Sequence, residues 1–226
     1  MSALNQGLGV CKVEGRLALT VSLAAAQLGA APEAFRAAFS AVHSVNRRGP
    51  EDDRVAIALP EMGRGFGMAV LGRSIELFGS ESALRAVLDD LRIRSIVGRG
   101  MVERGISVTP VSLAEGAEGC WLARTRRGED CTKESMARQQ RRDERRRAHI
   151  EATAGRFIPG KGPKPEAPKR DLFLKLDGGL VLHMSRGRGI WMNDPILVTT
   201  YGLSRGDSPC VLPVSPFDLR AHAEVA

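Results

Sequence analysis

The sequence predicts an α+β protein, and three observations carry that prediction. Short apolar stretches of the first half alternate at a period of two and are interleaved with two segments whose apolar residues recur at helical spacing. The second half opens on a strand, passes into a helix dominated by arginine, and returns through the turn signal Asp177-Gly178-Gly179. Charge is concentrated in one segment. At 226 residues and 43% apolar composition, the chain has material for one large domain or two small ones with a packed core. Aromatic residues supply only 4%, so that core must rest on Leu, Val, Ile and Ala.

Lys12 to Leu23 alternates in part through Val13, Leu17, Leu19, Val21 and Leu23, as a half-buried strand does. Ala30-Ala31-Pro32-Glu33 opens a helix, because proline suits the first turn and glutamate complements the helix dipole. Its apolar stripe is Phe35, Ala38, Phe39, Val42 and Val45, and it ends in Asn46-Arg47-Arg48-Gly49-Pro50. Arg54 to Leu59 reads as a second strand and Ser74 to Phe78 as a third. Ser80 then caps a second helix with Leu84, Val87, Leu88 and Leu91 on one side, and Gly105 to Val111 closes the unit as a fourth strand. This order predicts a ferredoxin-like (RRM-like) domain over residues 1–112, a plan shared with RNA-recognition folds.

Residues 113–226 are predicted as a smaller α/β domain. Trp121 to Arg126 is a short strand, followed by a helix over about 132–153. On it Arg138, Arg141, Arg142, Arg145 and His149 fall at i, i+3, i+4, i+7 and i+11 and share one face. No apolar stripe accompanies them, so the helix calls for a partner other than a protein core. A basic Pro/Gly linker follows, then a hairpin from Leu172 to Met184 and a last strand from Ile196 to Tyr201.

The chain carries 33 Lys+Arg against 26 Asp+Glu, a net charge of +7. Between Leu122 and Arg170 there are 15 basic and 7 acidic residues, leaving 18 and 19 elsewhere, so a near-neutral body carries one basic segment. That distribution predicts a polyanionic partner. Arginine's planar fork suits phosphates and guanine edges.

Other chemistries find little support. No Gly-x4-Gly-Lys-Ser/Thr loop occurs, and Gly63-Arg64-Gly65-Phe66-Gly67 and Gly187-Arg188-Gly189 are weak candidates for cradling phosphate. Cys11, Cys120, Cys131 and Cys210 lack zinc spacing and read as reduced thiols of a cytoplasmic protein. Four scattered histidines and no paired acidic cluster predict no metal site, and no small-molecule cofactor is expected. Leu17 to Ala31 has some look of a signal peptide, but Glu14 breaks the basic leader and the stretch is too short to span a bilayer, so no membrane association is expected.

This order of elements, ending in Thr199-Thr200-Tyr201-Gly202-Leu203-Ser204-Arg205-Gly206, resembles the CRISPR-associated repeat-cleaving endoribonucleases that process precursor crRNA. The similarity is to those of type I-F systems and their type IV relatives. In the first half it extends to a helix with His43 near its end, Arg54 to Pro60, Leu71-Gly72 and Ser80 with the helix carrying Leu84. The resemblance implies a protein that binds the CRISPR repeat stem-loop and cuts at its 3′ base without metal. Such a protein stays on the 3′ hairpin as a subunit of an effector complex, beside other effector subunits. It implies catalytic roles for His43 and Tyr201. Arg124 matches a base-reading arginine on the strand before the basic helix, while Arg126 stands where the family has glutamine. Groove binding falls to Arg138, Arg141, Arg142, Arg145 and His149. Arg47, Arg48, Arg127, Arg146, Ser204 and Arg205 complete the expected RNA-binding set. The family's catalytic loop serine has no counterpart in the short turn Leu176-Asp177-Gly178-Gly179-Leu180, which points to a type IV-like member or a rebuilt site.

The chemistry is independent of the name. Metal-free RNA scission needs the 2′-hydroxyl deprotonated, the phosphate held in line and the leaving oxygen protonated, and histidine titrates in the right range for base or acid. His43 sits one turn before Arg47 and Arg48, which puts a proton acceptor and two phosphate clamps at one helix end. Two alternatives remain: a non-cleaving RNA-hairpin-binding subunit, and a DNA-binding protein that lays the basic helix in the major groove.

Overall fold

The computed structural model describes residues 7–64, 69–111, 116–124, 133–152, 172–175, 181–192, 194–206 and 208–213. Among these the fold is mixed α+β, with five helices and several largely antiparallel sheets. The strands are β1 (Leu8–Cys11), β2 (Gly15–Thr20), β3 (Ala56–Ala58), β4 (Gly63–Arg64), β5 (Ala69–Val70), β6 (Ser74–Gly79), β7 (Val108–Pro110), β8 (Glu118–Arg124), β9 (Leu172–Lys175), β10 (Val181–Ile190), β11 (Ile196–Thr199) and β12 (Ser204–Arg205). The helices are α1 (Leu23–Gln27), α2 (Ala31–Arg48), α3 (Glu81–Leu88), α4 (Leu91–Gly98) and α5 (Lys133–Ala152).

The first sheet runs β3-β6-β2-β7, every neighbouring pair antiparallel. Alternation in β2 turns Leu17 and Leu19 toward α2, whose Phe35 and Phe39 fill the same core with Ile57, Ile75 and Leu77. Pro32 lies in the first turn of α2 and Glu33 beside it, as the sequence predicts. The expected second helix is two helices. Asp90 breaks it by capping α4, its side chain accepting from the Arg92 amide at 2.9 Å, and Leu91 is left exposed. Four expected strand ranges shorten: the first to β2, the second to β3, the fourth to β7 and the last to β11, whose end frees Thr200 and Tyr201 for a turn.

The opposite face of the sheet is covered over β3 and β6, while Ala18 of β2 stays exposed there. Ala56, Ala58 and Phe78 pack there with Cys11, Cys120, Ile196, Val198 and Leu212. This covering layer joins both ends of the chain, because β1 pairs antiparallel with β11 in the register Leu8↔Thr199 to Cys11↔Ile196. Burial pushes the Cys11 thiol up to about 12, an inert packing group. On the same face the buried Glu76 is held by Arg16.

The second sheet runs β12-β8-β10-β9, with β12 parallel to β8. It shares the first sheet's core: Leu122, Leu182, Met184 and Leu203 pack into one cluster with the α2 residues, across the boundary expected near residue 112. Arg186 of β10 ties the sheets again, donating to the carbonyls of Pro60 (2.8 Å) and Met62. Gly187 and Gly189 lie within β10, paired with Trp121 and Gly119 of β8, so this stretch is ladder rather than phosphate loop. In the other glycine-rich stretch Gly63 and Arg64 form β4, while 65–68 lies outside the described residues. The hairpin turn at 176–180 also lies outside them. Among the described residues no helix is long and apolar enough to cross a membrane.

Candidate functional site

The last two turns of α2 carry His43, Asn46, Arg47 and Arg48. Asn46, 3% exposed, is the residue that anchors this end. Its amide donates to the carbonyls of Val55 (2.9 Å) and Thr200 (3.3 Å), and its oxygen accepts the Val55 amide at 2.8 Å. One side chain thereby binds α2 to the approach of β3 and to the turn after β11. That turn closes on itself, with Thr199 donating to Leu203 (2.8 Å) and Gly202 to Thr199 (2.9 Å), while Ile57 donates to Gly202 (2.8 Å). Gly202 has φ +72°, and a Cβ there would lie 2.8 Å from the Val55 carbonyl oxygen, so glycine is required on both counts.

Held this way, Tyr201 lies flat on His43. The ring centroids are 4.1 Å apart and the planes 8° from parallel. From the end of β8, the Arg124 guanidinium carbon stands 5.5 Å from the Tyr201 ring centroid. The fold therefore brings to one place three residues that are far apart in sequence and that are all among the expected site residues.

Burial lowers the His43 pKa from its ordinary value, and the positive charges of Arg47, Arg124 and Arg92 push the same way, while the Thr200 backbone acts in the opposite direction. Nδ1 is shut off from solvent and has no hydrogen-bond partner among the described residues. The imidazole is thus neutral at physiological pH and able to accept a proton, and cations to stabilise an anionic phosphate stand around it.

The remaining expected residues fall into separate groups. Arg47 is exposed at the end of α2. Arg48 donates from Nε to the Ser44 carbonyl (3.2 Å) and lies 3.8 Å from the Asp90 carboxylate. Arg205 lies opposite Arg124 on the β12–β8 pair. Ser204 is buried and donates its hydroxyl to the Leu122 carbonyl at 3.1 Å; it ties β12 to β8 rather than facing a ligand. Arg126 and Arg127 lie outside the described residues.

The predicted basic helix is α5, and it places Arg138, Arg141, Arg142, Arg145 and His149 on one face by spacing. The Arg141, Arg142, Arg145 and His149 side chains are exposed, while those of Arg138 and Arg146 are outside the described residues. Among the described residues no carboxylate is ion-paired with Arg141, Arg142 or Arg145; Glu144 instead accepts from Gln140 at 3.2 Å. The extensive packings between elements do not include α5.

The sequence gives no sign of the roles of Asn46, Asp90 and Arg92. Asn46 reads as a helix-ending polar residue, and nothing local shows that its partners are Val55 and Thr200. Among the described residues no cluster of His, Cys, Asp and Glu is suited to hold a metal ion. No protein-family model matches the chain, and no curated protein matches it in sequence.

Proposed function

We propose that the chain is a metal-independent endoribonuclease that binds an RNA stem-loop through α5 and cuts it at the His43–Tyr201–Arg124 site. The convergence of these three residues carries the reading: a histidine kept neutral, an aromatic face and an arginine lie together beside the exposed Arg47. In this reading His43 takes the proton of the 2′-hydroxyl, whose oxygen then attacks the adjacent phosphorus. The bond to the 5′-oxygen breaks, leaving a 2′,3′-cyclic phosphate and, once that oxygen is protonated, a 5′-hydroxyl. Arg124 and Arg47 balance charge on the pentacoordinate phosphate. Arginines 138, 141, 142 and 145 contact the stem, whose distorted hairpin end admits a helix that a regular RNA groove excludes.

The substrate is the repeat stem-loop of precursor CRISPR RNA, and the protein stays on the 3′ hairpin as an effector-complex subunit in the cytoplasm. Supporting this are the resemblance of the C-terminal Tyr201 to Gly206 run and a first sheet whose order, β7-β2-β6-β3, is that expected of a ferredoxin-like unit with strands 4-1-3-2. Phe78, the aromatic residue on the second face of that sheet, is buried, which leaves RNA binding to the second half rather than to sheet aromatics.

A non-cleaving RNA-binding subunit with the same docking surface is the second reading, favoured by the missing serine at 176–180. Incubating the protein with end-labelled repeat RNA in EDTA separates the two. A shorter product ending in a cyclic phosphate supports cleavage; retained but intact RNA supports the second reading. Preference for duplex DNA of the same sequence defeats both.

A further inference from the structure

We propose that Arg48 and Arg92, gathered by Asp90, form a second phosphate subsite beside His43 that receives the backbone of single-stranded nucleotides flanking the RNA stem. This rests on the RNA-processing reading and adds where the flank runs. The Asp90 side chain is only 5% exposed, yet the guanidinium groups it holds belong to side chains 72% (Arg48) and 50% (Arg92) exposed. The carboxylate is fixed in turn, because its Oδ1 accepts the Arg92 amide at 2.9 Å at the start of α4. Arg92 Nη1 donates to both carboxylate oxygens, at 3.3 and 3.2 Å, and Arg48 approaches from α2 at 3.8 Å.

One buried carboxylate under two exposed cations leaves a local charge of about +1 and guanidinium donors not used by Asp90. The pair is preorganised, so less side-chain freedom is lost when an anion docks. Its position selects the anion. Arg48 follows His43 on the same helix, and α4 packs on α2, so a strand with one phosphate at His43 runs on to Arg48 and Arg92. The arginines of α5, which take the stem, sit on an element with no extensive packing on α2 or α4. A phosphate reaching Arg92 therefore comes from nucleotides beyond the stem base.

The test compares two RNAs carrying a 2′-deoxy nucleotide at the scissile position: the repeat hairpin with single-stranded flanks, and the same hairpin trimmed to its stem. Arg92→Ala should bind the flanked RNA about tenfold more weakly, the effect expected of removing one charge-assisted hydrogen bond, and should lower its log–log salt slope by about 0.7. Its affinity for the trimmed hairpin should equal that of the unsubstituted protein. Arg48→Ala removes the other cation and leaves Asp90 paired with Arg92, and should show the same flank-specific weakening. Equal weakening on both RNAs, or none on either, overturns the subsite while leaving the stem-binding reading standing. Failure of the unsubstituted protein to bind either RNA overturns both.

Discussion

His43 lies flat against Tyr201, ring centroid to ring centroid 4.1 Å, although they come from the end of α2 and a turn at the far end of the chain. The stack shields one face of the imidazole and contributes to the burial that lowers its pKa. A histidine with a depressed folded-state pKa binds its proton later than in the unfolded chain. Its contribution to stability is complete above the unfolded value of about 6.5 and is lost as pH falls through the folded value.

The imidazole resonances of His43 should therefore titrate below about 6.5 in an NMR experiment. Tyr201→Ala removes the covering ring and should move that midpoint upward. Between pH 7 and 5 the urea midpoint of the natural protein should fall relative to that of His43→Gln. A midpoint above 6.5 contradicts the assignment of a neutral base.

Asn46→Ala leaves a buried Val55 amide and the Val55 and Thr200 carbonyls without their partner. The expected drop in unfolding free energy is about 1–3 kcal/mol, read from denaturant curves. Because Asn46 also holds the turn that carries Tyr201, the His43 titration should shift toward its ordinary value in the same variant.

Gly202→Ala places a Cβ in the left-handed region, 2.8 Å from the Val55 carbonyl oxygen. It should cost about 1–3 kcal/mol by thermal or chemical unfolding. Gly100→Ala is the control, since its φ of +67° is similar but nothing lies within 4 Å of the added carbon. The two together separate backbone strain from the clash, and Gly202 should be the more costly.

Replacing Arg138, Arg141, Arg142 and Arg145 together should leave the fold intact and weaken hairpin binding. The log–log salt slope should become shallower by about 0.7–0.9 for every phosphate that the variant no longer neutralises. Arg141, Arg142 and Arg145 have no acidic partner among the described residues, so no compensating ion pair is broken. An unchanged slope would mean that α5 does not touch RNA.

Elements built on local periodicity are readable from the sequence. The apolar spacing from Phe35 to Val45 reports α2, the alternation of Leu17 and Leu19 reports β2, and the arginine spacing reports α5 within a residue or so at each end. What stays hidden depends on contacts between distant residues. The Leu8–Cys11 strand is too short to announce itself, and its partner is almost two hundred residues away. Helices α3 and α4 share a plausible apolar stripe, and only the capping geometry of Asp90 shows the break. In the site, His43 stands out by lying one turn before Arg47 and Arg48, whereas Tyr201 is marked only by the resemblance of the run that contains it. Asn46, which brings them together, has no local signature because it acts through two backbone carbonyls and one amide supplied by other segments.

The most direct test is single-turnover cleavage of the repeat hairpin, in chelator, by the natural protein and by His43→Ala side by side. The expected result is a product with a cyclic phosphate from the natural protein alone, with both proteins binding the hairpin equally well. Equal cleavage by the two would contradict the central claim and move the chemistry away from the His43–Tyr201 stack.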